Sequence, residues 1–424
     1  MKAIKYIAIF SVVFLLSQSN YAQNQIIKLE DVKSLALKNN KQIKMSGYDL
    51  EAAKAAQKAA KTINKPSIDA SATGTYIDNP PMGLIPEQTL FGSVGLTQVI
   101  YAGGKVNTAN KMATAAVDLQ TSKSSLTDSE VLLNAETTYW QAVSLKSKVE
   151  LAEEYQNLLK ALLKDLTNLH EAGMIYKNDL LEVQVEANQA ELNLTTAQDY
   201  LQILKMSLAQ QIGLDSVNFD IESTLTEKAN PIEQKGISEA LEVRPEIEML
   251  SKAVEIQDLQ TSLLKANRRP SLGLSLSSGY VLGENINAAE AEDYLNYTMA
   301  AVSLNIPIFD WGGRKQKVKE QEYKVEAQKL TLLETKEMIS IEIENAYLAL
   351  NRAIKNVEIS NKSVIQAQEN LKLNEDRFSA GTVNGSDVLE AQVLWQKAKS
   401  NLINAQAEYN ISKATYLKAI GALN

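Results

Sequence analysis

The sequence AGTVNGSDVLE (residues 380–390) follows a run from Arg314 to Ala380 that contains neither Gly nor Pro. The run is rich in Glu, Lys, Gln, Leu and Ala, which favour helices. At 1.5 Å per residue it predicts a helix roughly 100 Å long, far longer than the helices of ordinary globular domains. Gly381 predicts a reversal, because glycine readily adopts the left-handed backbone that ends many helices. The stretch therefore predicts a long helical hairpin.

A second copy of this pattern lies in the first half of the chain. Lys105–Ala172 is again free of Gly and Pro, and AGMIYKNDLLE (residues 172–182) shares Ala-Gly, Asp and Leu-Glu with residues 380–390 at the same spacing. The matching predicts an internal duplication of about 200 residues. The predicted organisation is a first repeat over 23–213, a linker over 214–236 and a second repeat over 237–424.

Each repeat also carries two segments that alternate between apolar and polar residues, which predicts strands. The predicted strands cover about 67–77 and 90–101 in the first repeat and about 271–282 and 297–309 in the second. Such lengths suit membrane strands, but four strands cannot close a barrel, and known barrels begin at eight. Three chains would supply twelve. Taken alone, the strands are equally consistent with a soluble sheet that has one buried face.

Composition limits the classes of function. The net charge of −8 disfavours nucleic acid, which requires a basic surface. Residues 1–22 have a basic start, a short apolar run and small residues at their end, which predicts a cleaved signal peptide. Cysteine is absent and His170 is the only histidine, so we expect no disulfide, no His-ligated metal cluster, no cofactor and no catalytic triad.

The order of elements, the duplication and the tip motif Ala-Gly-x₅-Asp-Val/Leu-Leu-Glu resemble the TolC family of outer-membrane efflux proteins. The resemblance covers nearly the whole chain after the signal peptide. It implies an α+β membrane protein that forms a homotrimer. Its twelve-stranded β-barrel lies in the outer-membrane lipid and continues into a periplasmic α-helical barrel. It also implies two partners, a periplasmic adaptor protein and an inner-membrane transporter.

The resemblance assigns Asp387 and Glu390 to an acidic ring that closes the periplasmic aperture. Their spacing of three independently places both carboxylates on one helical face. The alternative is that Asp387, with Ser386, caps the returning helix, and both roles can hold together. Asp179 and Glu182 occupy the equivalent positions of the first repeat.

Other residues are assigned less directly. The tip turns, which the resemblance makes adaptor contacts, contain Gly173, Asp179, Gly381 and Gly385. Tyr76 and Tyr280 end equivalent strands and suit an aromatic girdle at the membrane interface. Phe378 and Val383 replace the Tyr and Arg that lock the closed tip in the family, so we do not expect that lock here.

The sequence thus predicts an outer-membrane exit duct for efflux or secretion, not an enzyme. The alternative is a secreted coiled-coil adhesion or scaffold protein. It explains the long helices and the signal peptide, but not two pairs of membrane-length strands.

Overall fold

The computed structural model describes residues 25–80, 86–222, 225, 228–287, 290 and 292–423. The predicted signal peptide lies outside these residues. The helices are α1 (Leu29–Asn39), α2 (Lys41–Ala60), α3 (Lys105–Glu171), α4 (Lys177–Ile212), α5 (Ile237–Val243), α6 (Pro245–Ala266), α7 (Gly313–Ser379) and α8 (Gly385–Ala419). The strands are β1 (Gln25–Ile27), β2 (Ser67–Tyr76), β3 (Gln88–Tyr101), β4 (Phe219–Ile221), β5 (Ser271–Asn287) and β6 (Glu292–Asn305).

The two predicted long helices are present, and α3 and α7 have 67 residues each. Among the described residues, no helix combines the length and the apolarity that crossing a membrane demands. The chain forms two compact units, and each takes segments from both sequence repeats. The hairpin unit comprises the described residues of Met1–Met45, Thr127–Arg244 and Met338–Asn424, and the sheet unit comprises those of Ser46–Leu126 and Pro245–Glu337.

In the sheet unit, β2, β3, β5 and β6 form one antiparallel sheet in that order. Directly paired residues share a face, so the register defines two different surfaces. One row runs Ile68, Leu96, Leu276, Ala300, and the adjacent row on the opposite face runs Ser67, Thr97, Ser275, Ala301. The Ser67 and Thr97 hydroxyl oxygens on the polar face are 2.7 Å apart. The predicted alternation therefore gives one mainly apolar and one mainly polar face.

The second strand pair differs from its predicted bounds of 271–282 and 297–309. β5 continues to Asn287 and β6 begins at Glu292, because Asn287 and Glu292 still pair across the two strands. At the other end, β6 stops at Asn305. Pro307 lacks the N–H that a strand ladder requires, which accounts for the early end.

The core of the hairpin unit lies along α3. Its buried apolar residues recur at helical spacing: Val131, Leu132, Ala135, Tyr139, Val143 and Leu151. Several of them pack against α1 and the end of α4.

The segment predicted as a linker over 214–236 contains β4, which pairs in parallel with β1. The Lys146 and Lys205 ammonium groups, on α3 and α4, lie 2.7 and 3.3 Å from the Asp220 carboxylate of β4. This segment is therefore tied to the helices by ion pairs as well as by apolar packing.

Candidate functional site at the hairpin tips

The two hairpin tips, residues 172–182 (first tip) and 380–390 (second tip), begin with the same turn. Gly173 and Gly381 have φ values of +71° and +70°. The amide of Gly173 donates to the His170 carbonyl, and the next amide, Met174, donates to Leu169, both at 2.9 Å. The second tip repeats both bonds, from Gly381 and from the residue after it, again at 2.9 Å. This pair of bonds is the Schellman motif, which requires the left-handed residue that the sequence predicted.

The tips differ where the returning helix begins. In the second tip, the Asn384 amide donates to Asp387 Oδ2 at 2.9 Å, so Asp387 serves as a helix cap. Its partner is Asn384 and not Ser386, which the sequence had paired with it. In the first tip, Tyr176 stands at the N-cap without a side-chain cap bond, and Asp179 accepts instead from the Asn178 side-chain amide at 3.1 Å.

Gly385 is a packing residue as well as part of the turn. It is buried at the first position of α8. A Cβ placed there would lie 2.6 Å from Leu166 Cδ2 and 3.0 Å from Cδ1. Leu166 is itself fully buried in α3. Glycine therefore lets the start of α8 approach α3 closely.

Phe378, for which the sequence predicts no lock, packs against an apolar cluster beneath the tips. The buried members of this tip core come from three helices: Tyr155, Leu159, Leu162 and Leu166 of α3, Leu180, Val183 and Ala190 of α4, and Val388 and Leu389 of α8. Phe378 thus adds apolar packing at the tips.

An open groove of about 670 Å³ lies between the first turns of α4 and α8. Four carboxylates line it: Glu182 and Glu186 from α4, and Asp387 and Glu390 from α8. Asp387 and Glu390 are both exposed, as their shared helical face predicts. The structure therefore brings Glu182 to the two predicted ring residues, whereas Asp179 does not line the groove.

Glu186 is the groove residue that the sequence reasoning missed. The buried Tyr155 hydroxyl donates to Glu186 Oε1 at 2.9 Å. Burial, reinforced by this hydrogen bond, raises the pKa of Tyr155 well above its ordinary value. The available signal was that Glu186 lies four residues after Glu182 and therefore on the same helical face. The internal repeat did not support it, because the equivalent position of α8 is Leu394, which carries no charge.

The sheet unit holds the two predicted interface tyrosines. Tyr76 and Tyr280 are both exposed, and both lie on the mainly apolar face. They stand at different heights along β3, because Tyr76 pairs with Gln88 and Tyr280 pairs with Gly92. They therefore do not form one row across the sheet.

In the part of the chain that the structure describes, no three His, Cys, Asp or Glu side chains form a cluster that could hold a metal ion. The four carboxylates give the acidic groove a negative charge, which attracts cations.

Comparisons with known proteins agree with this architecture. The family model described as "Outer membrane efflux protein" matches residues 32–214 and 236–422. Outer membrane protein TolC of Escherichia coli (strain K12) is 23% identical over 429 residues, which cover 96% of this chain and 85% of TolC.

Two solved structures illustrate the shared fold. A membrane protein from Pseudomonas aeruginosa has a TM-score of 0.81 at 17% identity, with 94% of this chain and 95% of the other covered. The open state of the MtrE outer membrane channel of Neisseria gonorrhoeae has a TM-score of 0.79 at 18% identity, with coverages of 93% and 89%. At such identities the likeness shows the fold alone, which in this chain comprises a four-stranded sheet and long helices, as the sequence predicted.

Proposed function

The chain belongs to the outer membrane efflux protein family and is an outer-membrane efflux channel, and from this premise we propose that three copies form one exit duct. Their sheets close a twelve-stranded barrel in the outer-membrane lipid, and their helical hairpins close a periplasmic tunnel. The alternative of a secreted adhesion or scaffold protein has no support, because the relatives that match along most of the chain are outer-membrane proteins.

The open sheet is the observation that supports a trimer. β2 and β6 are its two edges, and within the described residues neither has a second strand partner. The apolar face of the sheet is uncovered as well, with Ile68 70% and Val302 71% exposed. Unpaired backbone groups are not tolerated in lipid, so both edges require strands from other chains. Neighbouring copies supply them in a closed ring.

The hairpin unit also exposes apolar stripes that require partner helices. On α4, Leu181, Val185, Leu192 and Ile203 are all exposed. At 3.6 residues per turn they fall within about 40° of one another around the helix axis. On α7 the exposed residues Ile341, Leu348, Ile359 and Leu373 form a similar stripe. Side-by-side packing of α4 from one copy against α7 of the next would cover both.

The acidic groove supports a gate at the tips. In a threefold assembly, Asp387 and Glu390 would recur around the axis and concentrate negative charge in one narrow opening. Such a ring favours cations over anions. The cap bond of Asp387 uses Oδ2, which leaves Oδ1 to face the opening, so the capping and ring roles are compatible.

The proposed duct requires two partner proteins, one of which supplies the energy for transport. A periplasmic adaptor would contact the tip turns at Gly173, Asp179, Gly381 and Gly385, and an inner-membrane transporter would supply the energy. Met174 and Tyr176 are 71% and 82% exposed at the first tip, which suits a docking surface. The duct itself catalyses no reaction and uses no cofactor. Tyr76 and Tyr280 anchor the sheet at the membrane interface.

The test is conductance of the purified protein in planar bilayers. We expect discrete channels with cation preference, and a severalfold lower preference when Asp387→Asn and Glu390→Gln are combined, since these changes remove charge but preserve shape. The matched control is Asp179→Asn, at the equivalent position of the first tip but outside the groove, which is compared with Asp387→Asn alone and should shift the reversal potential less. Absence of channels, or equal shifts in these two single variants, contradicts the proposal.

A further inference from the structure

A second polar groove, of about 660 Å³, lies in the hairpin unit between α3 and α8. Two rows of polar residues face it, each with spacing i, i+3, i+7: Gln141, Ser144 and Lys148 on α3, and Asn401, Asn404 and Glu408 on α8. Asn356 and Ser360 of α7 complete the polar lining. The volume is in the range of small-molecule sites.

Lys148 is the exceptional member of this lining. It is half-buried, and within the described ranges its ammonium makes no hydrogen bond or ion pair. Burial lowers the pKa of Lys148 below its ordinary value. Lys146, two residues earlier, shows the usual arrangement, because it binds Asp220 Oδ2 at 2.7 Å and the Ile221 carbonyl at 2.8 Å. A partly desolvated cation without a partner is unfavourable unless a ligand compensates it.

The internal repeat also indicates a role for Lys148. Asn356 occupies the position equivalent to Lys148 in the second repeat, and both line this groove. The duplicated positions therefore present one cation and one amide to a single space. Amides and hydroxyls around a cation provide the donors that a carboxylate or phosphate oxygen accepts.

We propose that this groove binds a small oxyanion, a carboxylate or a phosphate, through the Lys148 ammonium and the side-chain donors of Gln141, Ser144, Asn356 and Asn404. Glu408 lines the same space, and its carboxylate is 3.5 Å from the Ser412 hydroxyl. Its negative charge opposes the ligand, and it therefore limits affinity. Such moderation suits a site from which a solute must also leave.

The groove lies on the same exposed stripe of α8 as Glu390. Asn401, Asn404 and Glu408 are exposed, and at 3.6 residues per turn they fall within about 40° of Glu390 around the helix axis. Its position on the duct wall rests on the proposed function, whereas binding to the dissolved protein does not. The experiment therefore uses detergent-solubilised full-length protein and no membrane.

Isothermal titration with succinate and with inorganic phosphate, as separate arms, measures binding and identifies the preferred oxyanion. We expect Lys148→Gln to weaken binding about tenfold, the loss of one charge-assisted hydrogen bond. Lys148→Arg should retain most of the affinity, and Glu408→Gln should increase it. The matched control is Lys397→Gln, an exposed lysine of α8 outside the groove, which should leave affinity unchanged.

A second readout does not depend on variants. Brief acetylation of the wild-type protein, quantified by peptide mass spectrometry, compares Lys148 with Lys397 with and without the bound oxyanion. Selective protection of Lys148 supports the site. No binding of either oxyanion, equal binding of neutral succinamide, or wild-type affinity in a folded Lys148→Gln protein overturns it. A channel without conductance that still binds would refute the duct and leave this site intact.

Discussion

The two hairpin tips share one turn and differ in how the next helix begins. Gly173 and Gly381 have nearly the same φ and terminate their helices with the same two backbone bonds. Beyond the turn, the second tip has a cap bond and a glycine seated on Leu166, whereas the first tip begins with an exposed, uncapped Tyr176. Duplication has therefore preserved the backbone turn while the following side chains have diverged.

The difference gives the tips different surroundings. Val388 and Leu389 bury themselves in the tip core with residues of α3 and α4, so the start of α8 is fixed against the first repeat. The helix backbone that carries Asp387 and Glu390 is thereby held in place. The first tip exposes Met174 and Tyr176 instead. A fixed acidic face suits a gate, and an exposed apolar turn suits a docking partner.

The largest expected effect comes from placing a large side chain at Gly385, because only the second tip has no room for one at this position. Gly385→Leu should lower the free energy of unfolding by about 2 kcal/mol, because the side chain must displace Leu166 in a packed core. Urea unfolding followed by far-ultraviolet circular dichroism measures the change. The control is Lys177→Leu at the equivalent, exposed position of the first tip, for which we expect a change within about 0.5 kcal/mol.

Equal losses in these two variants would contradict the difference in packing between the tips. The unfolding transition of each variant is compared at the same detergent and protein concentration, because an assembled channel has a concentration-dependent stability.

The sequence predicted what depends on local chemistry. Breaker-free runs predicted α3 and α7, Gly173 and Gly381 predicted the turns, and strict alternation predicted the sheet with its two faces. These features can be predicted from the sequence because helix propensity, left-handed glycine and strand periodicity depend on a few neighbouring residues. The long duplication strengthened each of them by repeating it.

The features that were missed depend on distant contacts. Gly385 was read as part of a turn because the approach of Leu166, from the other repeat, is invisible locally. Glu186 and Lys148 were not among the predicted site residues, because packing between helices places them in grooves. β4 is only three residues long, and its pairing with β1 spans most of the first repeat. Sequence periodicity carries no signal for such contacts.

A smaller effect should be the same at both tips. Gly381→Ala and Gly173→Ala should each lower the free energy of unfolding by about 1 kcal/mol, because an L-residue is strained in the left-handed region. A Cβ at either position meets no atom within 4 Å, so strain alone acts. Urea unfolding of the two variants in parallel measures it. A clear difference between them would show that the turns are not equivalent despite their matching geometry.

The smallest expected effect separates the two helix starts. Asp387→Ala should lower the free energy of unfolding by about 0.5 kcal/mol more than Asp179→Ala. Both changes remove a negative charge from a helix N-terminus, but only Asp387 also loses a bond from a backbone amide. Unfolding in low and high salt distinguishes the contributions, because salt screens the charge and leaves the hydrogen bond. A difference that vanishes in high salt would mean that charge, and not the cap, distinguishes the second tip.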